Sequence, residues 1–365
     1  MKKNEILVCY GDDPQAMTMQ IAEAAGLASL IGDRSKRIGL KPNLVVSRPA
    51  SNGATTHPEI AAGLIAYLKK NGFQNIVILE GSWVGDSTSR AFNACGYTSF
   101  KKLGVELIDT QTDKAKKYDC AGMELEICTS AMELDFMINL PVLKGHCQTS
   151  LTCALKNNKG IIPDREKRRY HSLGIHKPVA HLNTMVRNDF IIVDGICGDP
   201  DFEEGGNPVY GGRIFAARDP VLCDAFAANQ LGLSVNQVQY IGIAEKLGIG
   251  SSDLKKAIVK TLSSPLDSQA KQTGSGGKIR RLAPYINEKE ACSACYAALV
   301  SALLRISQRE LEKFQKPLCI GQGFKGKTGN IGIGIGSCTS GFTHYCVGCP
   351  PSGNEILSFL NKNFF

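Results

Sequence analysis

Segments with the pattern of buried strands alternate with segments with the pattern of helices over the first 260 or so residues. No other feature of the sequence restricts the fold as strongly. The segments that read as strands are 36–46, 75–81, 135–140 and 190–196, and those that read as helices are 55–72 and 219–232. Strands that alternate with helices predict an α/β fold, a mainly parallel sheet with helices on both faces.

The two predicted helices carry start signals. Thr56 is expected to cap the first helix, Pro58 lies in its first turn, and Glu59 stands three residues after Thr56, as in a capping box. Asp219 is the expected N-cap of the second helix, and Gly232 is its expected end.

Composition and charge exclude several classes of protein. The chain has 365 residues, of which 43% are hydrophobic, enough for one large or two medium domains. It has no signal-like start and no apolar run of membrane-spanning length, so we expect a cytoplasmic protein without a membrane partner. The net charge is +8, but a basic stripe interleaved with aromatic residues is missing, so nucleic acid is not an expected partner. The basic run 165–169 is interpreted as a solvated loop or, alternatively, as an anion site.

A change in composition divides the chain. Residues 262–278 are rich in serine and glycine and are predicted to be a linker or surface loop. We therefore expect an α/β domain at 1–275 and a small cysteine-rich C-terminal region at 276–365. Within the latter, helices are predicted at 291–314 and 354–364.

The cysteines are the strongest chemical signal. Eight of the fourteen are dispersed and are expected to be small buried hydrophobes. The other six crowd into the C-terminal region: Cys292, Cys295, Cys319, Cys338, Cys346 and Cys349. In a cytoplasmic chain such crowding indicates a metal site and not disulfides.

Two C-x-x-C pairs can supply four thiolates, which favours an oxygen-sensitive iron–sulfur cluster of the [4Fe-4S] type. The alternatives are a structural zinc site, whose pairs usually stand closer in sequence, and unbound thiols. The expected ligands are Cys292, Cys295 and Cys349, with either Cys338 or Cys346 as the fourth.

Polar side chains follow or interrupt the predicted strands. In parallel sheets ligands bind beyond the carboxyl ends of the strands, so these side chains are expected to line one cleft. Converging cations suit a small anionic substrate. The expected catalytic residues are Lys144, His146 and Lys156, and the expected substrate-binding residues are Lys41, Asn43, His57, Asn157 and His171.

Six motifs, in this order, resemble the DUF362 family: KPNLV (41–45), TTHPE (55–59), INLPVLKGH (138–146), ALKNNKG (154–160), VDGI (193–196) and ARDPVLCDA (217–225). The resemblance implies an iron–sulfur module in the cysteine-bearing tail. It also implies a fold similar to the N-terminal part of the lactate racemase family, which uses histidines and a lysine around a nickel pincer cofactor. The nickel is not carried over, because its ligands do not match residue by residue.

Together these features predict an iron–sulfur redox enzyme that passes electrons to a small anionic substrate. Two alternatives stay open at this point. One is an electron-transfer or scaffold protein without its own substrate, and the other is a non-redox lyase or isomerase with a structural cluster. The expected protein partners are an electron donor and a second copy of the chain.

Overall fold

A computed structural model describes residues 1–264 and 282–364. Of these, 1–167 and 176–264 form one compact unit, and 168–175 together with 282–364 form a second. The predicted linker 262–278 lies outside the described residues, except for its first three.

The secondary structure is as follows. The strands are β1 (Glu5–Tyr10), β2 (Ile38–Pro42), β3 (Ile76–Glu80), β4 (Glu106–Asp109), β5 (Ala115–Asp119), β6 (Glu124–Cys128), β7 (Phe136–Leu140), β8 (Lys144–His146), β9 (Ser150–Thr152), β10 (Phe190–Gly198), β11 (Val209–Ala217), β12 (Ile258–Thr261), β13 (Ile286–Glu288), β14 (Leu318–Ile320), β15 (Ile333–Ile335) and β16 (Tyr345–Cys346). The α-helices are α1 (Pro14–Ala25), α2 (Leu27–Ile31), α3 (Pro58–Lys70), α4 (Thr88–Ala94), α5 (Thr129–Met132), α6 (Ala154–Asn157), α7 (Asp164–Ser172), α8 (His176–Leu182), α9 (Pro220–Gln230), α10 (Gln239–Lys246), α11 (Ser293–Leu303), α12 (Gln308–Leu311) and α13 (Gly353–Phe364). Short 3-10 helices lie at Ala50–Asn52, Tyr97–Leu103, Asn158–Ile161, Val235–Gln237, Leu254–Lys256, Ala283–Tyr285, Gln322–Phe324 and Ser337–Thr339.

The first unit is built on an eight-stranded sheet with the order β12-β1-β11-β10-β7-β2-β3-β4. Strand β11 runs antiparallel to its neighbours β1 and β10, and the other neighbouring pairs are parallel. The mainly parallel α/β sheet predicted from the sequence is confirmed. The four segments predicted as strands become β2, β3, β7 and β10.

Side-chain alternation along β11 shows why both faces of the sheet are covered. Ile214 and Ala216 belong to the hydrophobic core formed with α1 and α3. Phe215, between them, points to the opposite face, where its ring lies 5.1 Å from that of Phe226 in α9. The buried strands therefore carry apolar residues in continuous runs.

The predicted start of helix α3 is wrong in detail. His57, not Thr56, is the N-cap residue, and its side chain makes no capping bond. The Thr56 hydroxyl instead donates to the Leu140 carbonyl at 2.7 Å and accepts from the Asn43 amide at 2.8 Å. It ties the end of β2 to the end of β7, a role that local sequence spacing cannot reveal.

The start of helix α9 is as predicted. The Asp219 side chain accepts hydrogen bonds from the amides of Val221 and Leu222, at 2.8 and 3.0 Å. Two of the amides that a helix leaves unbonded at its N-terminus are thereby satisfied.

The basic run 165–169 lies in helix α7 and not in a loop. Arg165 is largely exposed and forms an ion pair with Glu126. Lys167 is buried, and its amine donates to the Ser82 carbonyl at 2.7 Å and to Asp164 at 3.0 Å. The helical pattern is hard to recognise because α7 consists almost entirely of charged and polar residues.

The second unit has a parallel sheet in the order β13-β14-β15-β16. The helix predicted at 291–314 is divided into α11 and α12. Ser307 starts α12 with a capping box to Glu310, which interrupts the apolar pattern of α11. Across both described parts of the chain, the helices are too short or too polar to span a membrane.

Candidate functional site

A hairpin that follows β7 carries two of the predicted catalytic residues. Strands β8 and β9 pair antiparallel, with Lys144 opposite Thr152. Gly145 lets the loop after β10 lie against this hairpin, because a Cβ there would meet the Pro200 carbonyl oxygen at 2.1 Å. The hairpin and this loop together form the walls of the candidate site.

Lys144 anchors the two walls to each other. Its amine donates to Asn43 Oδ1 at 3.1 Å, to the Glu203 carbonyl at 2.6 Å and to the Ala54 carbonyl. Burial lowers the pKa of Lys144 to about 7, and the charge of Glu203 opposes that shift. Because three oxygens accept from this one amine, Lys144 cross-links the parts of the chain that surround it.

His146 is held in one tautomer. Its Nδ1 accepts from the amides of Gln148 at 3.0 Å and Thr149 at 3.2 Å, so the ring proton resides on Nε2. Nε2 lies 3.1 Å from Glu203 Oε1, to which it donates. His146 therefore acts as an oriented hydrogen-bond donor next to a buried carboxylate.

His146, Cys147 and Glu203 present ligand atoms within 4.8 Å of one another, close enough to hold a metal ion. The tautomer of His146 argues against this use. A metal on Nε2 would displace its proton while two amides occupy Nδ1, which would require an imidazolate. The Cys147 thiol instead donates to Glu203 Oε1 at 3.5 Å.

Lys156 differs from the other buried lysines in its hydrogen-bond partners. It lies on α6, whose first amides donate to the Asp224 carboxylate. Its amine donates to Thr152 Oγ1 at 3.2 Å, and this hydroxyl is its sole partner among the described residues. The residue is 7% exposed. Burial lowers the pKa of Lys156 to about 8, while Glu203 and then Cys147 oppose the shift.

A histidine that the sequence did not single out lies near this amine. His176 begins α8, and its ring stacks on that of Tyr240 at 6.1 Å. Burial and the charge of Lys156 lower its pKa, so the ring is neutral at pH 7. Its buried Nδ1 has no hydrogen-bond partner in the described part of the chain. Lys156 thus lies close to a neutral imidazole with an available lone pair.

Lys41 has its partner inside the protein. Its buried amine forms an ion pair with Glu80 at the end of β3 and donates to the Pro42 carbonyl at 2.8 Å. Burial lowers the pKa of Lys41 and raises that of Glu80, and the ion pair opposes both shifts. The structure gives this predicted substrate ligand a structural role.

Asn43 and Asn157 also form hydrogen bonds within the chain. Asn43 Nδ2 donates to Asn157 Oδ1 at 2.9 Å, and Asn157 Nδ2 donates to Asn139 Oδ1 at 2.7 Å and to the Lys41 carbonyl at 3.1 Å. These bonds join α6 to the carboxyl ends of β2 and β7. The arrangement explains the asparagines of the KPN and KNN motifs as a scaffold for Lys156.

The two remaining predicted ligands are His57 and His171. His57 Nδ1 lies 2.8 Å from Asp194 Oδ2. Burial alone would lower the pKa of His57, but the Asp194 carboxylate outweighs burial and raises it. His171 belongs to the segment 168–175 of the second unit. The structure therefore brings Lys144, His146 and Lys156 together around Glu203, with Asn43 bonded to Lys144 and Asn157 bonded to Asn43. Lys41 and His57 have carboxylate partners in Glu80 and Asp194.

Glu203 and His176 are the site residues that sequence reasoning missed. Glu203 lies in a polar loop that reads as an ordinary turn, and the Asp199 carboxylate shapes this loop by accepting the amides of Asp201, Phe202 and Asn207. His176 follows no predicted strand. Their roles depend on tertiary packing, and the sequence carries no local signal for either.

In the second unit, four cysteines follow the carboxyl ends of parallel strands. Cys292 and Cys295 come after β13, Cys338 after β15 and Cys349 after β16. Burial raises the pKa of the Cys295 thiol to about 12. Three neighbouring thiols add to this rise, those of Cys292, Cys349 and Cys338.

The other two cysteines of this unit lie within strands. Cys319 is in β14 and Cys346 is in β16. Burial raises the pKa of Cys346, and Glu355 raises it further. Of the two candidates for a fourth ligand, the structure groups Cys338 with the other three thiols.

One prediction arises from the packing around Lys41. A Cβ on Gly160 would lie 2.6 Å from both Lys41 Nζ and Glu80 Oε1, so Gly160→Ala must displace the buried ion pair. We expect the free energy of unfolding to fall by about 1–3 kcal/mol in urea denaturation. Gly242→Ala is the matched control, because its Cβ meets no atom within 4 Å and it lies in helix α10. Equal stability of the two variants would contradict this packing.

The sheet with its polar side chains beyond the strand ends defines an α/β protein with a buried site of lysine, histidine and glutamate. The chain belongs to the family described as "Domain of unknown function (DUF362)", which matches residues 38–229.

Two known proteins are similar to this chain. The thylakoid-associated protein sll1697 of Synechocystis sp. is 24% identical over 225 residues, which are 58% of this chain and 68% of that protein. The lactate racemase apoprotein from Thermoanaerobacterium thermosaccharolyticum matches with a TM-score of 0.40 and 14% identity. That match covers 62% of this chain and 56% of the racemase, so the chain spans little more than half of that protein.

Proposed function

We propose that this protein is an enzyme that binds a small anionic substrate at Lys156 and moves a proton on it. The proposal rests on one observation: among the described residues, the buried amine of Lys156 has a single hydrogen-bond partner, the Thr152 hydroxyl. Burying a cation without an anion costs several kcal/mol, and such cost is typical of functional sites. Lys41, Lys144 and Lys167, also buried, each bond to a carboxylate or to carbonyl oxygens.

The charges near Lys156 favour an anion with one carboxylate. Glu203 is the carboxylate that acts most strongly on both Lys156 and Lys144, and Glu80, Asp199 and Glu204 also act on Lys144. The Lys156 amine has no carboxylate within hydrogen-bond distance among the described residues, so the carboxylate of a substrate would be its direct anionic partner. The sequence predicted the broader class, a small anionic substrate, from the convergence of Lys144, His146 and Lys156.

The groups in the site suit acid–base chemistry. The amine of Lys156, with a pKa of about 8, gains and loses a proton near neutral pH. His176 Nδ1 offers a base, and Nε2 of His146 is a fixed donor beside Glu203. A proton could therefore be taken from a bound substrate and returned to it within one buried site.

The proposal extends to the second unit, where Cys292, Cys295, Cys338 and Cys349 would hold an iron–sulfur cluster. The described geometry fits such a group, because all four thiols lie beyond the ends of parallel strands in one small sheet. Gly336 leaves room beside them, since a Cβ there would lie 3.7 Å from Cys295 Sγ. When bound, a cluster of this kind supplies single electrons.

Thiol spacing favours a cluster over zinc. Zinc at about 2.3 Å from each sulfur would hold four thiolates about 3.8 Å apart. In the described part of the second unit, no three of these sulfurs lie within 4.8 Å of one another. A cubane spreads its thiolates farther, because each of them binds a different iron. Iron, sulfide and zinc analysis of anaerobically purified protein tests this part of the proposal.

Substrate binding is tested with a panel of small carboxylates and phosphates in thermal unfolding. We expect at least one monocarboxylate to raise the melting temperature of the wild-type protein and to have no effect on Lys156→Met. Lys101→Met, an exposed lysine, serves as the control for non-specific anion binding. If the same anions stabilise Lys156→Met as much as wild type, the proposed site is wrong, and an electron carrier becomes the better interpretation.

A further inference from the structure

We infer that Lys156 is a nucleophile that forms an imine with the carbonyl carbon of a small 2-oxo acid. This inference rests on the proposed function and deepens it, because it names the substrate class. A nucleophilic amine needs a free lone pair, little competition from hydrogen-bond acceptors and a base within reach.

The contacts of Lys156 meet these requirements. A neutral amine has two N–H groups and one lone pair, and the Thr152 hydroxyl at 3.2 Å uses one N–H group at most. Lys144 differs, because three oxygens lie within hydrogen-bond distance of its amine and compete with any substrate for it. The two lysines lie in the same buried region, but Lys144 has a structural role and Lys156 is available to react.

A 2-oxo acid matches the site in two respects. Its carboxylate would supply the direct anionic partner that Lys156 lacks among the described side chains. Its ketone or aldehyde carbon would face the amine. Burial supports the reaction further, because it lowers the pKa of Lys156 to about 8 and so leaves about a tenth of the amine neutral at pH 7, far more than at the ordinary pKa of 10.5.

The step balances without an oxidant or a reductant. The nitrogen of Lys156 attacks the carbonyl carbon, a C–N bond forms, and the C=O π bond opens to an alkoxide. His176 Nδ1, which has no partner among the described residues, would accept one proton from nitrogen and deliver it to this oxygen, which gives a neutral carbinolamine. It would then carry the second proton from nitrogen to the hydroxyl group, the C–O bond would break, and water would leave behind a neutral imine.

The test is reductive trapping in the full-length protein. Wild type is incubated with pyruvate or glyoxylate and sodium cyanoborohydride, digested, and mapped by mass spectrometry. We expect the reduced adduct on the peptide that contains Lys156, and its loss in Lys156→Arg. Circular dichroism establishes whether that variant is folded, and Lys101→Arg, at an exposed lysine, is the matched control that should still be labelled at Lys156.

The outcomes separate the inference from the proposed function. If wild type binds a carboxylate through Lys156 but gives no adduct there, the imine is wrong and the anion site stands. If it neither binds nor reacts, both are wrong. Labelling spread over exposed lysines, with none on Lys156, also overturns the inference.

Discussion

Replacing Lys156 with methionine should raise the free energy of unfolding at pH 7 by on the order of 3 kcal/mol. The pKa of Lys156 is about 8 in the folded protein, against an ordinary value of 10.5. Below pH 8 the amine is charged in both states, so folding carries the full cost of burying that charge. Methionine has a similar length and removes this cost. Urea unfolding of the two proteins measures the difference.

The pH dependence of the free energy of unfolding tests the direction of this prediction. As pH rises from about 8 toward 10.5, the folded protein loses the proton while the unfolded chain keeps it, so wild type gains stability. The advantage of Lys156→Met should therefore shrink over this window. A variant that is several kcal/mol less stable than wild type at pH 7 would show that Lys156 has a stabilising partner, contrary to the contacts described.

The second large effect concerns the cysteines. Changing Cys295 to serine should abolish cluster binding, because serine puts a poor iron ligand in place of the thiol on which the other three grouped thiols act. Anaerobic wild-type protein should contain about four irons per chain. Iron and sulfide analysis after identical purification measures the loss.

Cys346→Ser is the matched control, since this cysteine belongs to the same C-x-x-C pair as Cys349 but lies within β16. We expect it to keep its iron. If Cys346→Ser loses iron while Cys338→Ser keeps it, then the fourth ligand has been chosen wrongly. Stoichiometric zinc without iron in wild type would contradict the cluster altogether.

The sequence predicted the sheet well because each central strand is buried and mostly apolar, as in the IVIL of β3 and the FIIV of β10. Strands β2, β3, β7 and β10 lie within or close to the predicted segments. The sequence also placed Lys144 and Lys156 near each other, since both follow the end of β7. That inference needed only the rule that parallel strands end at one edge of a sheet.

Individual roles could not be predicted, because they depend on partners that are distant in sequence. Lys41 and Lys156 look alike as cations near strand ends, yet Glu80, 39 residues away, neutralises Lys41. Thr56 looks like a helix cap, but the Leu140 carbonyl, 84 residues away, takes its hydroxyl. Which lysine is left without an anion becomes visible only in the folded protein.

The central claim, that the amine of Lys156 binds a substrate anion, is tested most directly by titration calorimetry with pyruvate over a range of pH. For wild type, the affinity should be nearly constant below about pH 8 and should fall about tenfold per pH unit above it, as the amine loses its proton. Lys156→Met should bind weakly at every pH. Equal affinity in the two proteins, with the same pH profile, would contradict the account.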